Sequence, residues 1–288
     1  MSKYLKYLKI AAIALAIPLA VGAGFVLYSS YRTEATLDAH REKVKDMGRA
    51  ASSPVYVPGM ADQLPAPVAR YFAFVFPEPP RPINYVAMEM AGKFRRPRTE
   101  GFAPTTATQV ASVGRPSLVF AANTSVLPGL WAVAYDAYID GRMEMKAKIL
   151  STLTVVDEYD KPSLNKSSLR RWLIESPLYP SALLPGGPVQ WEPIDENRAR
   201  AHVSAYGIET SVVAVFGPDG SLRRFDAEED GDLGTPYHGS GEHVLRGDYQ
   251  RISGMMIPLS FTIARAAAGR IYPFWIGKIK SIEFDFKH

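Results

Sequence analysis

The hydrophobic pattern changes period three times along this chain. Ile10 to Tyr28 is nineteen residues without a charge. At 1.5 Å per residue such a helix reaches about 28 Å, enough to cross the apolar core of a bilayer. Thr33 to Ala51 is polar and helix-compatible, and reads as a stalk continuing that helix. Ser52 to Gly59 contains Pro54, Pro58 and Gly59 and reads as a linker. Over Gln63–Phe76 the apolar residues Val68, Tyr71, Phe72 and Val75 fall at i, i+3, i+4 and i+7, the spacing of one helix face. Pro65 and Pro67 sit in its first turn, and Pro77, Pro79, Pro80 and Pro82 end it.

From Ile83 the period becomes two. Val86, Met88, Met90 and Phe94 alternate with Ala87, Glu89 and Lys93, as in a half-buried strand. Thr105–Val113 and Ser117–Ala122 follow as strands. Trp131–Ile139 and Arg142–Leu150 flank Asp140-Gly141, a dipeptide suited to a two-residue hairpin turn. Trp131, Val133, Tyr135, Ala137 and Ile139 share one face of the first of these. Met143, Met145, Ala147 and Ile149 share one face of the second. The strands resume at Arg198–Tyr206, Ile208–Phe216, Ser221–Glu229, Glu242–Ile252, Met256–Arg265 and Ile276–Phe286, giving eleven or twelve.

Between the two runs of strands lies Leu169–Pro185, closed by Trp191–Asp195. Leu169, Trp172, Leu173 and Ser176 occupy one helix face, with Arg171 and Glu175 an i,i+4 pair on the next. Pro177 stops the helix, and Tyr179-Pro180 and Leu184-Pro185 fix a compact apolar loop. Strands without regular intervening helices make an antiparallel meander. A sheet of this width curls. The expected class is mainly β (α+β): a curved antiparallel sheet forming an unclosed β-barrel, a helix-loop lid over it, and one transmembrane helix in front. The boundaries are a cytoplasmic N-terminus at 1–9, a membrane helix at 10–28, stalk and linker at 29–61, and one half-barrel domain at 62–288.

Charge sharpens the membrane reading. The net charge is +4. Residues 1–50 carry eight Lys/Arg against four Asp/Glu, and the remainder balances at zero. The basic excess therefore belongs to the anchor, and nucleic-acid binding is disfavoured for the domain. Lys3, Lys6 and Lys9 precede the apolar run and only Arg32 closely follows it. The positive-inside rule then puts the N-terminus in the cytoplasm and the domain outside, on a bacterial inner membrane, in periplasmic or extracellular space. A cleaved signal peptide, with Val21-Gly22-Ala23 as its cleavage region, is the competing reading. The chain has no cysteine, which removes disulfides, thiol catalysis and cysteine metal sites.

Candidate chemistry is sparse. Glu175 and Asp195 are a conceivable carboxylate pair, set against structural ion pairing with Arg171 and Arg198. Ser181 is not in a nucleophile elbow. His238 and His243 lie in a glycine-rich loop at a spacing that fits neither a helix nor a finger site. His40, His202 and His288 are isolated. Asp226–Tyr237 resembles a calcium loop at its sixth position, Gly231, but has Glu228 at the third and Tyr237 at the twelfth, and reads as an acidic hairpin end. No phosphate-binding glycine loop is present. No cofactor and no metal is expected, and no catalytic residue is assigned.

The blocks Leu64–Tyr71, Pro128-Gly-Leu130, Arg171–Glu175, Pro180–Pro185, Trp191–Asp195 and Ala199-Arg-Ala201, with Asp248-Tyr249, Gly254, Pro258 and Tyr272, resemble a widespread bacterial family of unknown function. The resemblance covers residues 62 to 285. It implies one domain, often behind a membrane segment, and no known activity. The order of elements is also similar to the unclosed barrels of periplasmic lipoprotein carriers, which hold acyl chains under a helical lid, although their tetrapeptide blocks are not visible here. The aromatic residues either fill the core or line a cavity. A half-barrel has more concave surface than one short helix fills, which favours a cavity. The expected lining is Trp131, Tyr135, Trp172, Leu173, Glu175, Tyr179, Leu183, Trp191 and Trp275. The expected function is binding or transfer of a lipid or acyl group beside the membrane. The alternatives are a protein-interaction or scaffold domain with a filled core, and a carboxylate-dependent enzyme.

Overall fold

A computed structural model describes residues 2–57, 59–61, 63–96, 99–234 and 240–287. Pro58 of the expected linker, Tyr237, His238 and Gly239 of the candidate metal and calcium loop, and His288 lie outside the described residues. One helix, α1 (Ser2–Ala50), runs unbroken through both the apolar run and the stalk. Its N-terminal part is long and apolar enough to cross a membrane. A short helix, α2 (Ala66–Val75), follows, with Pro67 tolerated in its first turn.

Thirteen strands then form one unclosed antiparallel sheet. β1 (Ile83–Arg95), β2 (Phe102–Ser112), β3 (Ser117–Leu127), β4 (Leu130–Ile139), β5 (Arg142–Ile149) and β6 (Leu153–Tyr159) step outward from the middle to one edge. The chain crosses through helix α3 (Pro162–Glu175) and two 3₁₀ turns, Ser176–Leu178 and Pro180–Leu183. It re-enters at the opposite edge. There β7 (Val189–Pro193), β8 (Arg198–Ala205), β9 (Ile208–Phe216), β10 (Leu222–Asp226), β11 (Glu242–Ile252), β12 (Met255–Ala267) and β13 (Arg270–Phe286) step back until β13 pairs with β1.

The count exceeds expectation because β6 and β7 are edge strands. β6 exposes Leu153, Val155 and Tyr159, and a strand wet along its edge loses the clean in-out period on which the reading relied. β7 is Val189–Pro193, so Trp191, Glu192 and Pro193, expected to close the apolar loop, belong to the sheet. The Asp140-Gly141 turn is as expected, with φ of 53° and 80° at its two central residues.

The two faces of the sheet carry different covers. On the inner face α2 and α3 meet Val86, Met88, Leu118, Tyr138, Met143, Val203, Val212, Phe225 and Ile257 in one core. α3 packs against β3, β4 and β5 on one side and β8 and β9 on the other. On the outer face the second part of α1 lies across β1, β2 and β3. Leu37 and Val44 of α1 are buried there with Val110, Val119, Tyr135 and Ala137. Helix and sheet approach closely at Gly48, where an added Cβ would stand 2.5 Å from the Asn84 carbonyl oxygen. The stalk is therefore a packed element. Its apolar positions, Leu37, Val44 and Met47, recur at helical spacing between charged residues.

The two halves of the sheet also meet directly. Tyr206, in the β8–β9 turn, hydrogen-bonds with Ser117 at 3.1 Å and accepts from Arg115 Nε at 3.2 Å. Its ring stands edge-on to Tyr138.

Candidate functional site

α3 crosses the concavity as a bar, and two adjacent arginines tie it to opposite walls. Arg170 turns towards the second half. It donates to Thr210 Oγ1 on β9 and Glu242 Oε2 on β11, each at 2.9 Å, and pairs with Glu229. Arg171 turns towards the first half. It binds Asp136 on β4, donates from Nε to Glu175 Oε1 at 2.9 Å, and lies over the Phe120 ring. Successive residues on a helix point about 100° apart, so an Arg-Arg pair is suited to bridging two walls. Asn165 secures the first turn of α3, accepting from the Met143 amide and donating to Asp160, each at 2.9 Å.

The far end of the bar is a buried charge cluster. Glu175 is 5% exposed and also accepts from Gln109. Arg246 of β11 is equally buried and donates to the Ile174 carbonyl at 3.0 Å. Burial raises Asp136 above the usual carboxylate range; Arg171 opposes this and Glu175 adds to it. Arg171 is also held above its ordinary value. Burial alone would lower it, and the two carboxylates outweigh that effect. Burial pulls Arg246 down, against the attraction of Glu175. Arg171 binds both Asp136 and Glu175, and the buried Glu175 also attracts the buried Arg246, so removing Arg171 strands its carboxylates.

The apolar loop after α3 completes the filling. Trp172, Leu173, Tyr179 and Leu183 are 0% exposed and Leu184 1%. Their polar atoms are matched internally: Trp172 Nε1 donates to Ser112 O at 2.8 Å and Tyr179 OH to Trp172 O at 2.6 Å. Trp191 Nε1 donates to Leu183 O at 3.0 Å, and its ring meets Phe216. Burial raises Tyr179 well above the usual phenol range.

The nine residues expected to line one cavity fall into two places. Trp172, Leu173, Glu175, Tyr179, Leu183 and Trp191 gather around the bar. Trp275 is in the same inner-face core, packed against Phe261 and Phe94. Tyr135 lies on the outer face under α1, where its hydroxyl donates to Glu144 at 2.8 Å. Trp131 shares that face by strand alternation and is half-buried. Period two states which residues share a face, and not which face looks inward. Glu175 and Asp195 are likewise apart in environment. Asp195 is exposed in the β7–β8 turn, lowered by the Asn197 amide and Arg198. His243 pairs with Asp226 at 2.7 Å and His202 with Glu192 at 3.0 Å. Among the described residues no group of three or more His, Cys, Asp or Glu is placed to hold a metal.

Open space lies at the surface. A cleft of about 760 Å³ runs between α3 and β7–β9, lined by Lys166, Arg170, Gln190, Trp191, His202 and the carboxylates Glu192, Glu209, Glu228 and Glu229. A shallower groove of about 670 Å³ passes over Gly92, Gly247 and Gly277, beside Leu245, Lys278 and Lys280. The cleft had no distinct sequence signal, because its acids come from three separated stretches: β7, β9 and the segment after β10.

The profile of a family of unknown function, DUF6920, matches residues 62–284. The chain belongs to this family. Its match spans α2, all thirteen strands and the bar, and excludes α1. No curated relative and no solved structure matches the chain.

Proposed function

We propose that this member of the family is a membrane-tethered, non-catalytic interaction module of the cell envelope. It works through its outer surface and keeps its concavity for its own core. The observation that carries this reading is the bar. Trp172, Leu173, Tyr179 and Leu183 are 0% exposed, and the side-chain donors of Trp172, Tyr179 and Trp191 are satisfied within the protein. An acyl chain entering there would have to displace α3 and break both arginine ties, leaving charges buried without partners, at a cost of several kcal/mol. The anchor crosses the inner membrane with its lysines inside, and the domain stands outside, as the charge asymmetry around Ile10–Tyr28 supports. The recognition site is the cleft between α3 and β7–β9. Its four carboxylates, three of them paired with Arg200, Lys166 or Arg170, suit a cationic extended segment of a partner protein that exchanges into those pairs.

Two measurements on the full chain test this. A photo-crosslinking residue in place of Gln190 should give a discrete protein adduct in native membranes, lost on Glu192→Lys with Glu228→Lys. Native mass spectrometry after exhaustive detergent exchange should show no stoichiometric acyl lipid. A bound lipid that resists exchange and is displaced by added fatty acid would return the domain to the carrier class.

A further inference from the structure

We infer that the β3–β4 and β5–β6 turns form a lipid-contacting foot that rests the domain on the bilayer surface. The inference depends on the reading of α1 as a membrane helix and goes beyond it to the domain itself.

The position of the foot follows from α1. The uncharged run ends at Tyr28, and the helix continues without a break. Thr33 comes five residues later, about 7.5 Å along the axis, and its Oγ1 already accepts from Lys148 Nζ of β5 at 3.2 Å. From Lys148 the strand runs on to the β5–β6 turn at Leu150–Thr152, about 10 Å further at strand rise. The same helix reaches Asp140, at the opposite end of the β4–β5 hairpin, only through Lys43. Going towards the membrane along α1 therefore means going towards Leu150 along β5. The β3–β4 turn is beside it, because the Leu150 amide donates to the Trp131 carbonyl at 3.0 Å.

The chemistry of these two turns fits that position. Thr124 to Tyr135 contains no charge, nor does Ile149 to Val156. Leu127 is 63% exposed, Leu153 62% and Val155 52%, with Trp131 half-buried among them. A tryptophan beside exposed leucines, with Lys148 just above, matches the composition of a membrane interface. The acids of the same edge, Asp157, Glu158 and Asp160, begin only where β6 runs away from the turn. Apolar contact at two turns, added to the anchor, would hold the domain at one height and one tilt and keep the α3–β9 cleft in a fixed orientation.

The absence of native cysteine makes the test direct. Single variants Ile17→Cys, Tyr28→Cys, Lys43→Cys, Leu127→Cys and Leu153→Cys of the full chain are labelled with bimane. They are reconstituted in phosphatidylethanolamine–phosphatidylglycerol vesicles containing nitroxide lipids. Labels at 127 and 153 should be quenched by a headgroup nitroxide as strongly as the label at 28. The label at 43 should stay bright, and the label at 17 should respond to a deep acyl nitroxide. Deep quenching at 17 with 127 and 153 as bright as 43 would leave the anchor standing and overturn the foot. No quenching at 17 would overturn both. Shielding at 127 and 153 that rises with protein density and ignores the nitroxide lipid would assign the surface to a second copy of this chain, and the foot would fall.

Discussion

Strands β1–β6 and β7–β13 are both antiparallel meanders, yet α1 packs on the outer face of only the first run. At the end of β2 buried positions run consecutively, at Gln109, Val110, Ala111 and Ser112, because α3 lies inside and α1 outside. In β8 and β9 they alternate. Val203, Thr210, Val212 and Ala214 face inward, while Arg200, His202, Glu209 and Ser211 face water. Arg200 there joins Glu192 and Glu228, both at 2.7 Å. The first half is thus the one fastened to α1. The second keeps a charged outer face and the open cleft. The bar couples them, so the cleft is joined to α1 through α3 as well as through the β1–β13 seam.

The comparison breaks most completely at the bar. Arg171→Ala leaves the buried Glu175 and the part-buried Asp136 without their salt-bridge partner and should cost up to about 3–5 kcal/mol. Thermal unfolding of the full chain in detergent should show the loss. Arg171→Met and Arg246→Met with Asp136→Leu and Glu175→Leu removes the charges together and should recover much of it. If the single variant unfolds like the wild type, the bar does not hold the halves.

The coupling of the first half to the anchor is the next point of attack. Leu37→Ala empties a site that is 1% exposed, at a cost of about 2–4 kcal/mol to the packing of α1 on the sheet. Hydrogen exchange should rise along Thr33–Ala50 and in β2–β3, and stay unchanged in β8–β9. A uniform rise across both halves would mean that the helix stabilises the whole domain and not one side of it.

Sequence period alone carried most of the sheet and the β4–β5 hairpin, because Asp140-Gly141 and the alternation around it are local features. It also located the bar, through Trp172 and the prolines behind it. It did not extend α3 back to Pro162, since Ser163, Asn165 and Lys166 are polar and their roles are tertiary. It could not place Tyr135 on the outer face, because alternation is symmetric between faces. The packed stalk was hidden for a related reason. Leu37, Val44 and Met47 make a stripe one residue wide between charges, and only the sheet opposite shows that the stripe is enough. The cleft is assembled from four elements, and no single stretch of the chain describes it.

The smallest expected effect separates the halves by acid. Glu144 on the outer face of β5 has its carboxyl lowered to about 2, chiefly by His40 of α1, with Tyr135 and Lys146 adding to it. His40 stands 3.6 Å away and Lys146 3.0 Å. A carboxyl held below its unfolded value contributes stability that is complete above that value and is lost as pH falls through the folded one. The contribution of Glu144 should therefore persist down to about pH 4.5 and fade towards pH 2. Because its partners sit on α1 and on β4–β5, the fading should loosen the helix from the first half. The β8–β9 amides should be protected equally at both ends of the window. Hydrogen exchange measured across that range on wild type and Glu144→Gln separates this group from the other carboxylates. In the variant the Thr33–Ala50 amides should already be less protected at pH 6 and should change less on acidification. Equal acid responses in the two proteins would mean that the docking of α1 depends on its apolar stripe alone.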